Sequence, residues 1–258
     1  MNSGAPTSAA RAVVYDARTE AEAHAGALGV TDEPTEITVV GGGTGALGRA
    51  VVELLTSLGR RVVIPARDPE EATDLPALAT AVRCDLSRPE DVDALRAQVT
   101  AAGRWVALVN ASGGYAGGAA HETSESLMRG QVELNLLGPW RLATAAANAM
   151  LEGGGGRIVN VLSRAATQPV RGQAAYQLTK SAMARLTEVM ALELRDHGIT
   201  VNAVLPSTMD TAANRAAMPN ADHSRWVPLS QVAATIAWLL STDAAIVSGA
   251  LLPVYGRA

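Results

Sequence analysis

The chain predicts an α/β fold: a doubly wound, parallel, Rossmann-like sheet of seven strands with helices on both faces. Three observations lead there. Short β-branched runs alternate with longer amphipathic ones from residue 36 onward, as βαβ units require. The strand-like runs are too continuously apolar for a sheet with one wet face. A glycine-rich turn directly follows the first of them and opens the first helical stretch.

The strand-like runs are EITVV (36–40), RRVVIP (60–65), TAVRCD (80–85), RWVALVN (104–110), RIVNVLS (157–163), TVNAVLP (200–206) and GALLPV (249–254). Helical periodicity fills most of the gaps, at 46–57, 88–101, 123–151, 173–196 and 230–240. Gly59, Gly103, Gly153 and Gly198 sit just past helix ends, where glycine commonly stops a helix. Residues 1–35 stand apart as an N-terminal extension. There, ARAVVYDARTEAEAHAGALGV reads as a strand and short helix, and TDEPTE as a linker to a single dinucleotide-binding and catalytic domain at 36–258. The extension carries no motif.

Composition narrows the function classes. A net charge of -4 over 258 residues gives no general attraction to nucleic acid or anionic membrane. The single Cys84 excludes an intramolecular disulfide and a cysteine metal cluster. His24, His121, His197 and His223 show no ligand spacing, so no metal is expected. No apolar run approaches the roughly 20 residues that span a bilayer, and residues 1–20 lack a signal-peptide core. The expectation is a cytoplasmic protein acting on a small molecule. Phe is absent and aromatics make up 3%, so the core must be built from aliphatic side chains.

The turn GGGTGALG (41–48) contains G-x-G-x-x-G at Gly43, Gly45 and Gly48. Between a strand and a helix, such a turn lets backbone approach a pyrophosphate whose charge the helix N-terminus stabilises. The acid that normally follows the second strand, and holds ribose hydroxyls, is absent: position 66 is Ala, followed by Arg67 and Asp68. Arg67 can accept a 2′-phosphate, which favours NADPH. Asp68 can compete for the ribose, which leaves NADH possible. Further on, Tyr176 and Lys180 lie four apart on one face of a predicted helix. A phenol of ordinary pKa, about 10, donates poorly at neutral pH, and a nearby cation favours its ionised form.

Taken in order, these motifs resemble the short-chain dehydrogenase/reductase family across 42–256. The family's T-G-x-x-x-G-x-G maps onto 41–48, with Gly41 for Thr and Ala46 for the middle Gly. CDLS (84–87) resembles the acid after the third strand, VNASGG (109–114) the N-N-A-G motif, and VELNLLG (132–138) the helix with the catalytic Asn. Ser163 precedes Tyr176 by 176 − 163 = 13 positions, the family's spacing. LPSTMDT (205–211) stands where the family has P-G. Within the family, GGGTGALG, GGYAGG (113–118) and the 205–229 segment look most like dihydropteridine reductases, although that branch favours NADH and lacks the catalytic Ser.

The resemblance implies a catalytic set of Asn135, Ser163, Tyr176 and Lys180. Tyr176 is the proton donor, Ser163 orients the substrate oxygen, Lys180 tunes the phenol and binds the cofactor, and Asn135 holds a relay water. Cofactor contacts are implied at Gly42, Thr44, Gly45, Ala46, Leu47, Gly48, Arg67, Asp85, Leu86, Asn110, Ala111, Gly113, Tyr176, Lys180, Pro206 and Thr208. Tyr115 and Trp226 are candidate stacking groups for a planar substrate. The implied activity is NAD(P)H-dependent reduction of a carbonyl or conjugated C=N. The alternatives are a strict pterin reductase and a non-catalytic NADP-binding regulator. The family's habit of pairing its two long helices implies a homodimer or homotetramer, for which Ala143, Ala145, Ala146 and Ala147 would allow close approach.

Overall fold

The computed structural model describes residues 35–257, so the readings made on 1–34 lie outside the described residues. The elements run β1 (Glu36–Gly41), α1 (Ala46–Ser57), β2 (Arg61–Ala66), β3 (Ala79–Arg83), α2 (Pro89–Ala102) and β4 (Arg104–Asn110). Then follow α3 (Glu125–Val132), α4 (Gly138–Gly153), β5 (Gly156–Val161), α5 (Ala174–Leu194), β6 (Ile199–Pro206), α6 (Ala212–Ala217), α7 (Leu229–Leu239) and β7 (Leu251–Val254). The seven strands form one parallel sheet in the order β3-β2-β1-β4-β5-β6-β7.

Alternation along each strand builds both layers at once, since successive side chains face opposite sides. Val39, Leu108, Ile158 and Val201 face one way and pack against α2, α4 and α5 through Val92, Leu95, Leu142, Met150 and Met190. Their neighbours Val40, Val109 and Val159, with Val204, face the other way onto Leu47, Val51 and Leu55 of α1 and Val232 and Ile236 of α7. All eight residues of β6 are buried. The edge strands differ from the sequence expectation: no residue of β3 or β7 is fully buried.

The strand order reverses between β1 and β4, where an open α/β sheet leaves a crevice at the carboxyl ends. Gly41 pairs with Asn110 across that switch point. The glycine turn and the 111–124 loop therefore leave adjacent strand ends.

Two expectations need correction. The helix expected at 123–151 is two helices joined by a π turn at Glu133–Leu137. Pro139 supplies a local reason, because it has no N–H to close on the Asn135 carbonyl four residues back. In addition, Ala143, Ala145, Ala146 and Ala147 are buried within this chain's own core, so they cannot form a helix-pairing surface. The exposed large apolar residues on the long helices are Trp140 and Leu151 on α4 and Leu178, Val189 and Leu192 on α5. Among the described residues, no helix is long and apolar enough to cross a membrane.

Candidate active site

The glycine turn is shaped by its own backbone. Gly42 has φ +74°, and a Cβ on Gly48 would lie 2.0 Å from the Gly42 carbonyl oxygen. Neither position tolerates a side chain. Gly45 is different: the nearest atom to a Cβ there is 3.4 Å away, an ordinary contact. Its bareness leaves room for something other than protein. Gly45 is also the N-cap of α1 and supplies no side-chain cap, so the first N–H groups of that helix remain available to an anion.

A cleft of about 560 Å³ opens from this turn. Its walls include Gly42, Thr44, Gly45, Arg67, Asp85, Leu86, Ala111 and Gly113 from the expected cofactor set. Ala66, Ser112 and Leu134 also line it. The motifs do not single these three out; the only signal for them is their place at or beside strand ends and next to Asn135. Ala46, Leu47, Gly48, Asn110, Pro206, Thr208, Tyr176 and Lys180 are not among the cleft's lining residues. Leu47 and Pro206 are buried. The Asn110 amide donates to the Pro139 carbonyl at 2.8 Å and accepts from Ser112 Oγ at 2.9 Å, tying β4 to α4.

At the far end of the cleft, Arg67 makes no hydrogen bond or ion pair among the described residues, whereas Asp68 accepts from the Glu70 N–H at 3.1 Å and caps a short turn. Asp85 is held below the usual carboxylate range, first by the Ser87 backbone and hydroxyl donors, with Arg67 and Arg88 adding to the effect. Burial, with Asp91 and Asp85 nearby, pushes the Cys84 thiol up to about 12, so this cysteine of the cleft wall is inert at neutral pH.

Beyond Gly113 the catalytic residues come together. Ser163, just past the end of β5, lies near enough to Tyr176, at the start of α5, to favour the ionised phenol. Lys180, one turn further along α5, is buried and donates to the Val161 carbonyl at 3.1 Å. Its Nζ lies 5.9 Å from the centre of the Tyr176 ring. A Cβ on Gly113 would sit 2.6 Å from Asn135 Oδ1 and 3.2 Å from Lys180 Nζ, so only glycine lets the backbone pass there.

The electrostatics depart from expectation. Burial raises the Tyr176 pKa, with Tyr115 adding to the rise and Ser163 opposing it. Burial lowers Lys180 to about 8. Lys180 lies beside the ring and does not lower the phenol, so Tyr176 is a protonated phenol at neutral pH. That is the form a proton donor needs.

Asn135 also differs. It is fully buried, and its amide donates to the Gly114 carbonyl and Gln131 Oε1, both at 2.9 Å, while accepting from the Gly114 N–H at 3.0 Å. Its side chain clamps the 111–124 loop at Gly114, with one lone pair of Oδ1 left over.

The two aromatic candidates separate. Tyr115 is 62% exposed, with its ring 5.3 Å from that of Tyr176 in an edge-to-face contact. Trp226 is buried and packs on His223, with ring centres 4.3 Å apart, so it belongs to the interior of its own lobe. Among the described residues no group of three or more His, Cys, Asp or Glu side chains could hold a metal ion.

The model of the short chain dehydrogenase family matches residues 36–222. This chain belongs to the short-chain dehydrogenase/reductase family. It is 34% identical to a 2,5-dichloro-2,5-cyclohexadiene-1,4-diol dehydrogenase of Sphingobium indicum, over 85% of this chain and 95% of the relative. It is 29% identical to the 3-oxoacyl-acyl-carrier-protein reductase of Vibrio cholerae, over 86% and 96%. Among solved structures, a single-residue variant of actinorhodin polyketide ketoreductase with NADPH superposes with a TM-score of 0.79 at 31% identity, covering 86% of this chain and 96% of that one. These relatives do not single out the dihydropteridine reductase branch.

Proposed function

We propose that this oxidoreductase is an NADPH-dependent reductase of a carbonyl or conjugated C=N group. The observation that carries the reading is the Ser163–Tyr176–Lys180 cluster, set beside a cleft whose turn is bare of side chains at Gly45. The cleft residues fit a dinucleotide: backbone N–H groups of the turn and the α1 N-terminus for the pyrophosphate, and Asp85 for the adenosine end. When bound, the cofactor supplies the hydride. The chain's own work is at the substrate oxygen, where negative charge develops. Ser163 donates a hydrogen bond to it, and Tyr176 Oη delivers the proton. Lys180 restores that proton through a water held at Asn135.

Two facts support NADPH over NADH. Arg67 is free to pair with a 2′-phosphate, and Asp68, which also lines the cleft, has one carboxylate oxygen tied to the Glu70 N–H as a turn cap. Arg83 stands beside it: its strand position pairs with Ala66, and it lines a side chamber that shares Arg67 and Asp85 with the main cleft. Tyr115 forms one wall of the substrate site. The groove lined by Leu136, Leu137, Trp140 and Val189 is the surface for a second copy, making a cytoplasmic homodimer or tetramer. The test of the activity is NADPH fluorescence decay across a panel of ketones, imines and quinonoid pterins. Decay with ketones is expected; decay with pterins alone would assign the narrower pterin activity, and none on any substrate would favour a regulatory role.

A further inference from the structure

The opposite end of the sheet from the cleft holds an unassigned cavity of about 290 Å³. Three arginines line it, Arg60, Arg104 and Arg157, with Glu36 as the one carboxylate on its wall. Arg60 donates to the Leu240 carbonyl and Arg157 Nε to the Ser241 carbonyl, both at 2.9 Å, and Arg104 pairs with Glu36. Each guanidinium carries five N–H donors, so most of these donors have no acceptor among the described residues. Arg104 Nε is buried and has no partner among them at all.

Three cations line the cavity against one carboxylate. The C-terminal ends of α1, α2, α4, α5 and α7 gather at this end of the sheet and offset part of that charge without supplying a second carboxylate. Burial lowers the Arg60 pKa, with Glu36 opposing and the Arg157 charge reinforcing the effect. Like charges are thus held together in a partly buried hollow, an arrangement that an anion relieves.

We propose that this cavity binds a tetrahedral oxyanion, either inorganic phosphate or the phosphate group of a small monoester, through Arg60, Arg104 and Arg157. The site lies outside the catalytic cleft and does not depend on the reading of cofactor or substrate. The opposing account is that these arginines only cap helix ends, in which case their loss lowers stability without any link to anions.

The test is thermal unfolding of the full chain against inorganic phosphate and, separately, glucose 6-phosphate, each compared with chloride at matched ionic strength. A saturable rise in Tm is expected for the wild type. Arg157→Gln and Arg60→Gln, which keep an amide donor for the carbonyls, should weaken the apparent phosphate affinity by about tenfold or more, since a charge-assisted bond is lost. Glu36→Gln removes the competing carboxylate and should tighten it. A lower apparent Kd for glucose 6-phosphate than for phosphate assigns a monoester; an equal or higher one assigns the free ion. Absence of a rise, or the same rise in wild type and all three variants, overturns the proposal, the latter placing phosphate at the glycine turn. Should an arginine variant not fold, an unchanged affinity in Glu36→Gln overturns it alone.

Discussion

The two loops that leave the adjacent ends of β1 and β4 are built in opposite ways. The glycine turn is closed by near neighbours: Gly43 N–H bonds the Val40 carbonyl, Gly45 N–H bonds that of Gly42, and Gly48 presses on Gly42. The 111–124 loop is placed from afar. Asn135 clamps it at Gly114, and Gly118 exchanges backbone bonds with Gly172 and Ala174 just before and within α5. One loop therefore closes through its own backbone, with Gly42 and Gly43 also fitted against Ala111 and Ile64, while the other takes its shape from α3–α4 and α5. The cofactor end is a local construction and the substrate end a tertiary one.

Substitution within the turn breaks this comparison most severely. Gly48→Val forces a side chain into the Gly42 carbonyl, so both Tm and NADPH binding should collapse. Gly45→Val should lose NADPH affinity, by roughly 100-fold or more on the scale of several lost phosphate contacts, while keeping a near wild-type Tm. Calorimetry and fluorescence titration on the two variants separate protein sterics from cofactor sterics. An equal fall in Tm for both would mean that Gly45, too, is there for the fold.

Next in size is the choice of cofactor. Arg67→Ala removes a charge-assisted partner contributing about 1.5–3 kcal/mol, equivalent to about a 10- to 150-fold preference. NADPH should weaken by that factor and NADH hardly change, and added salt should erode the wild-type preference because Arg67 is exposed. Equal losses for both cofactors would return the ribose to Asp68.

Smaller effects belong to the tertiary loop. Tyr115→Leu should raise KM for a flat ring ketone by about 2- to 10-fold, the scale of one aromatic contact, with NADPH affinity unchanged. An unchanged KM would remove Tyr115 from the substrate wall.

The subtlest effect is on stability. Lys180 titrates at about 8 in the folded chain, below its ordinary 10.5, so between those values the unfolded state binds more protons and stability rises with pH. The cost of burying the ammonium is fully present below about pH 8. Lys180→Met should therefore raise Tm by a few degrees at pH 7, with a gain that shrinks towards about pH 10. A gain independent of pH would show that burial of the charge is not the cause.

The sequence made the local construction readable and the tertiary one much less so. Strand identities, the turn and the face shared by Tyr176 and Lys180 follow from periodicity and spacing, and each stands in the structure where periodicity places it. The π turn at Asn135 is hidden in the sequence, because a five-residue backbone shift leaves the helical pattern of 123–151 almost intact. Likewise, whether Ala143 or Trp226 faces inward depends on what the fold brings opposite, and both are buried. The Tyr176 pKa follows the same logic: its four-residue spacing from Lys180 points to a lowered value, and burial, which spacing cannot report, raises it.

Tyr176→Phe tests the central claim most directly. It keeps the ring packed on Tyr115 and removes only the hydroxyl near Ser163. On a substrate identified from the NADPH panel, kcat should fall by the roughly 10²–10⁴-fold typical of lost general-acid catalysis, with NADPH affinity and Tm near wild type. A kcat within about threefold of wild type would contradict the assignment of Tyr176 as the proton donor.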